Sequence, residues 1–88
     1  MNLDYTEQGR RPSAAQIVSD WKKGGRPHSL TVEYGETFAR FEMFKRFDTD
    51  TAGRWDDSGN GCRGVDRAAV VRALTAASGL VKPRDWLG

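Results

Sequence analysis

Cysteine and histidine are almost absent: the chain has one of each, Cys62 and His28. A lone thiol excludes an intramolecular disulfide and makes a reduced, cytoplasmic setting the expectation. One Cys and one His cannot build a multi-ligand zinc site, and no third group is placed to orient a Cys–His nucleophile pair. Long apolar runs are missing too. Nothing approaches the ~18 residues of a membrane span, and the polar start MNLDYTEQGRRP does not read as a signal peptide. Charge of one sign is equally scarce, since a net +2 falls far below the excess of proteins that live on phosphate backbones. Length sets the last limit. Eighty-eight residues make one domain, 1–88, that buries little more than ~60% of its unfolded surface. A deep substrate cleft and a separate cofactor lobe do not both fit, so a non-enzymatic protein without cofactor or metal is expected.

What the chain does have is concentrated in HSLTVEYGETFARFEMFKRFD, from His28 to Asp48, which holds all four Phe residues. It reads as a β-hairpin. Gly35-Glu36 suits a two-residue type II′ turn, in which Gly supplies the positive φ of the first position. That turn sets Tyr34 opposite Thr37, Val32 opposite Ala39 and Leu30 opposite Phe41. Because side chains alternate, Leu30, Val32, Tyr34, Ala39, Phe41, Met43 and Phe47 share a core face. Thr31, Glu33, Phe38, Arg40, Glu42, Phe44 and Arg46 share the other. A helix over 37–47 is the rival reading, because Glu, Ala, Arg, Met and Lys are good helix formers. On a helical wheel, however, its apolar residues spread over roughly 220°, too wide for one stripe.

A helix precedes the hairpin. Ser13 caps it, Gln16 completes a capping box, and Ala14, Ile17, Val18 and Trp21 fall on one stripe. Lys22 and Lys23 suit its negative end, and Gly24-Gly25 stops it. After the hairpin, DTDTAG is turn chemistry, and Gly53 to Asp56 is a short third strand with Trp55 inward. Asp57 to Gly64 reads as a flexible loop. A second helix opens at Asp66, buries Val70, Ala73, Leu74 and Ala77, and ends at Gly79 with Leu80 folding back. The expected fold is α+β, a two-layer sandwich in α-β-β-β-α order. Its three-stranded antiparallel sheet is covered on one face by both helices. The ordered core spans 13–80, between a loose N-terminal arm, 1–12, pinned by Leu3 and Tyr5, and a C-terminal tail, 81–88.

Motifs with possible chemistry fail on spacing. Gly59 to Gly64 spells GxGxxG, but the chain ends after the next helix, and Asp56, Asp57 and Asp66 surround the loop with negative charge. Asp56 to Gly61 matches the first half of a calcium loop, yet Arg67 stands where the bidentate Glu belongs. Asp56 and Asp57 are adjacent, so on a strand they face opposite ways and cannot share acid–base work. No residue is assigned a catalytic, cofactor or metal role.

What remains is surface. Phe38, Arg40, Phe44 and Arg46 on the outer hairpin face, with Trp86 of the tail, are the expected partner-binding residues, since aromatics and Arg favour interfaces. The bland alternative is that the termini cover Phe38 and Phe44. A regulator or inhibitor working through a protein partner or self-association is expected, in the style of phage and mobile-element proteins. The alternative is nucleic-acid binding, with Arg10, Arg11, Lys22, Lys23 and Arg26 on phosphates and the hairpin face on bases. The element order from about Ser13 to Leu80 resembles that of a double-stranded-RNA-binding domain. In that family a Lys-Lys-x-Ala-Lys cluster opens the second helix onto phosphates. Aligning Ala73-Leu74 with the family's late Ala-Leu places Cys62, Arg63, Gly64, Val65 and Asp66 at the cluster. Only Arg63 is basic among these five, so the resemblance implies an order of elements and not RNA binding.

Overall fold

The computed structural model describes residues 1–45, 53–59 and 65–79, without the side chains of 44, 45, 53 and 54. Phe47, the turn at 48–52, most of the GxGxxG stretch, Leu80 and the tail lie outside the described residues. Strands β1 (Asn2–Asp4), β2 (Ser29–Tyr34), β3 (Thr37–Lys45) and β4 (Gly53–Gly59) form one sheet in that spatial order. Helix α1 (Ala14–Lys23) connects β1 to β2, and α2 (Arg67–Ser78) follows β4. Both helices pack on one face of the sheet, which makes a two-layer α+β fold. No helix among the described residues is long and apolar enough to cross a membrane.

The hairpin follows the expected register pair by pair, from Tyr34 opposite Thr37 to Leu30 opposite Phe41. Gly35 adopts φ +63°, the positive value the tight turn requires. Thr37 closes the turn by donating its hydroxyl to the Tyr34 carbonyl at 2.8 Å. Leu30, Val32, Ala39 and Phe41 are fully buried, and Tyr34 and Met43 pack partly exposed against them. Strand geometry therefore wins over the helix-forming residues of β3, because pleating puts every second side chain into the core.

The sheet has four strands where three are legible, and it is not wholly antiparallel. Residues 2–4 are not a loose arm: they form β1, parallel to β2, with Leu3 beside Val32. The joining helix α1 makes this a crossover connection. Flanking bonds extend the seam. Tyr5 N–H donates to the Glu33 carbonyl at 2.8 Å, and Gly35 N–H donates to Thr6 Oγ1 at 2.9 Å. Tyr5 is the anchor, with 7% of its surface exposed and its hydroxyl donating to Asp20 Oδ2 of α1 at 2.7 Å. Burial, then that carboxylate, raise the phenol's pKa well above its ordinary value. At the other edge β4 is longer than expected. Asp57, Ser58 and Gly59 continue the ladder opposite Phe41, Arg40 and Ala39 instead of opening a loop.

The core lies between helices and sheet. Ser13 Oγ accepts the Gln16 N–H at 3.1 Å, but the Gln16 carboxamide pairs with that of Gln8 at 2.9 Å, so the capping box is only half made. Ile17, Val18 and Trp21 turn inward from α1, and Val70 and Leu74 from α2. The rings of Trp21 and Trp55 meet edge to face, with centroids 5.7 Å apart. Each indole keeps a partner for its N–H: Trp21 donates to the Pro27 carbonyl at 2.7 Å and Trp55 to Ser78 Oγ at 3.1 Å. Asp66 caps α2 by accepting the Ala69 N–H at 3.1 Å, and Gly79 ends it at φ +69°.

Candidate interaction surface

Helices occupy one face of the sheet, so strand alternation sends every other side chain to the opposite face. The registers arrange that outer face in rows across the strands. Asn2, Thr31, Arg40 and Ser58 form one row, Asp4, Glu33 and Phe38 a second, and Ser29, Glu42 and Asp56 a third. Phe38 is 38% exposed on an interior strand, and Arg40 beside it is exposed. Phe44 follows Glu42 on the same side of β3, with its backbone paired to Arg54. Of the expected partner-binding residues, the structure thus brings Phe38 and Arg40 together on one face. The side chain of Phe44, and all of Arg46 and Trp86, lie outside the described residues.

Charge on this face differs from what the hairpin alone suggests. Four carboxylates, Asp4, Glu33, Glu42 and Asp56, share it with one described guanidinium, Arg40. Arg40 Nε lies 3.6 Å from Glu42 Oε1, an exposed pair that contributes little to stability. Asp4 lies directly beside Glu33, and Glu42 beside Asp56. Like charges facing each other across strands oppose pairing. Hydrogen bonds from the Thr6 side chain and then its amide hold the Asp4 carboxyl below its ordinary pKa, which keeps it ionised. Asp4 and Ser58 join the surface only because residues 2–4 and 57–59 are strand, whereas Asp56 lies within the expected third strand. The alternation Asn2-Leu3-Asp4-Tyr5 is the one sequence signal that points to β1.

The basic residues proposed for phosphates lie elsewhere. Arg10 and Arg11 precede α1 and Lys22 and Lys23 end it, all exposed. A helix of ten residues separates the two groups by about 15 Å. Arg26, at φ +56°, donates through Nη1 to the Ala77 carbonyl at 3.3 Å, tying the loop after α1 to the end of α2. These five belong to the helix layer, so the structure does not bring them onto one surface with Phe38.

The motif readings also resolve. Asp56 and Asp57 face opposite ways, and Asp57 Oδ2 lies on the helix side, 3.1 Å from Arg67 Nε. Asp56 to Gly59 are extended strand, so the first positions of the partial calcium loop have no loop geometry. Among the described residues no group of three or more His, Cys, Asp or Glu is placed to hold a metal ion. His28 is exposed, and its carbonyl accepts the Met43 N–H at 2.8 Å. A cleft of about 400 Å³ between the helix N-termini is lined by Arg11, Pro12, Ser13, Ala14, Val65, Asp66 and Ala69. Asp66, its one carboxylate, already serves as the α2 cap. No family model, no curated protein and no solved structure matches the chain.

Proposed function

We propose that this chain is a small non-enzymatic binding module whose outer sheet face docks a protein partner. It would act in the cytoplasm as a regulator or inhibitor of the kind that mobile elements encode. The observation that carries this reading is the unequal use of the two sheet faces. Helices bury one, while the other displays Phe38, 38% exposed, beside Arg40 on an interior strand. Interface hot spots are aromatic and Arg side chains on a rigid base, and an interior strand supplies that base. Two competing occupants fit less well. A nucleic acid would set its phosphates against Asp4, Glu33, Glu42 and Asp56. A second copy docked sheet to sheet would set the same carboxylates against each other.

The test is capture of the partner from the source cell by the wild-type chain and by a Phe38→Ala/Arg40→Ala variant. Phe38 is 38% exposed and Arg40 exposed, so the variant should still fold, which its urea unfolding checks. It should lose the partner. Equal capture by both proteins refutes the docking face.

A further inference from the structure

We propose that two copies of this chain join edge to edge, by antiparallel pairing of β1 with β1 of the second copy. Strand β1 ends the sheet order, so one of its edges faces β2 and the other faces outward. In a parallel ladder a strand turns alternate residues toward a given neighbour. The Met1 carbonyl accepts the Thr31 N–H and the Tyr5 N–H donates to the Glu33 carbonyl, both at 2.8 Å, so the odd-numbered residues serve β2. Asn2 and Asp4 therefore turn N–H and C=O outward, and both residues are exposed. Past Tyr5 the chain heads toward β2, where Gly35 N–H donates to Thr6 Oγ1, and so away from the outer edge. Outward backbone groups of this kind are a template for another strand.

The edge fits itself. One two-fold register uses every outward group: Asn2 opposite Asp4 of the second copy, with Leu3 opposite Leu3. Each Asn2 carboxamide then faces a carboxylate to which it can donate. The acidic row Asp4-Glu33 of one copy runs on into the row Asn2-Thr31-Arg40-Ser58 of the other, which holds no carboxylate. Sliding to Asp4 opposite Asp4 sets like charges together and leaves each Asn2 without its backbone bonds. On the helix side Leu3, half-buried against the core, meets its counterpart with Cα atoms about 4.5 Å apart and sheds its remaining water. Three residues make a short seam, so the dimer is weak. The seam uses neither Phe38 nor Arg40 and stands or falls apart from the docking face.

The experiment is sedimentation equilibrium of the full chain from about 10 to 1000 µM, with amide exchange read across the same range. Dimers should form, and the Asn2 and Asp4 amides should become protected as concentration rises. Asn2→Asp sets like charges at both ends of the seam and should weaken the dimer about tenfold. Asn2→Lys puts a cation against the same carboxylate and should dimerise at least as well as wild type. Phe38→Ala/Arg40→Ala should dimerise as wild type does. A chain that stays monomeric throughout overturns the seam, and so does a dimer indifferent to Asn2→Asp or weakened as much by Asn2→Lys. Loss of the dimer in Phe38→Ala/Arg40→Ala overturns it by assigning the contact to the sheet face. Protection of the Asn2 and Asp4 amides that does not change with concentration overturns it too, since the edge is then covered within one molecule. Amide protection is read on the wild-type chain, so a substitution that unfolds the protein leaves the test intact.

Discussion

Replacing Tyr5 by Phe tests the part of the fold that the sequence hides best. The substitution keeps the ring in its pocket, where 7% of the residue is exposed, and removes the hydroxyl that lies 2.7 Å from Asp20 Oδ2. A hydrogen bond to a charged group contributes about 1.5–3 kcal/mol. Asp20 is half-buried and recovers water when the bond is lost, so a cost of about 1.5 kcal/mol is expected. An 88-residue domain is stable by about 4–13 kcal/mol, so the loss is readily measured. Urea unfolding followed by the buried indoles of Trp21 and Trp55 should show a midpoint lowered by about 0.5–1.5 M. The pH profile supplies a second reading. The folded phenol titrates above its ordinary value of 10.0, so its contribution is complete below about pH 10. Above that, the unfolded chain releases the proton more readily than the folded one. Stability then falls by up to about 1.4 kcal/mol per pH unit. Tyr5→Phe lacks the titrating group, so the two profiles should converge at alkaline pH. An unchanged midpoint at neutral pH, or an alkaline loss that persists in the variant, refutes the anchoring role of Tyr5.

Other substitutions address the sheet edge and the second helix. Gly59 has φ +151°, and a Cβ there would overlap the Phe38 carbonyl oxygen. Gly59→Ala should therefore cost about 1–3 kcal/mol, with faster amide exchange at the end of β4 while the rest of the sheet stays protected. Asp66→Ala removes the acceptor of the Ala69 N–H and should cost about 1 kcal/mol in urea unfolding.

Legibility in this chain follows the length of each periodic signal. The hairpin was readable because its alternation runs through six residues of β2 and nine of β3, and because Gly35 fixes where the two strands meet. The same holds for α1, whose stripe of Ile17, Val18 and Trp21 is bounded by Ser13 and Gly24. Strand β1 has three residues, only one of them apolar, too few for a period to rise above chance. What makes it a strand is tertiary: Leu3 and Tyr5 reach the core, and on the outer edge of β2 the Glu33 carbonyl needs a donor and the Gly35 N–H an acceptor. The end of β4 was misread for a different reason. Asp57, Ser58 and Gly59 are turn formers by propensity, but pairing with Phe41, Arg40 and Ala39 and the ion pair from Asp57 to Arg67 hold them extended.

The missed strand β1 has a consequence for the surface. The hairpin as read from the sequence shows Glu33, Phe38, Arg40, Glu42, Phe44 and Arg46 on its outer face, two acidic and two basic residues. Whether the face is acidic depends on the strands that flank the hairpin, because each adds its own outward side chains. β1 adds Asp4 beside Glu33, and β4 adds Asp56 beside Glu42. Both are neighbours through the sheet and strangers in the sequence. Net charge cannot report such a pattern, since it sums over both layers. The electrostatic character of a sheet face is therefore a property of strand order, which here sets carboxylates side by side that are far apart in the chain.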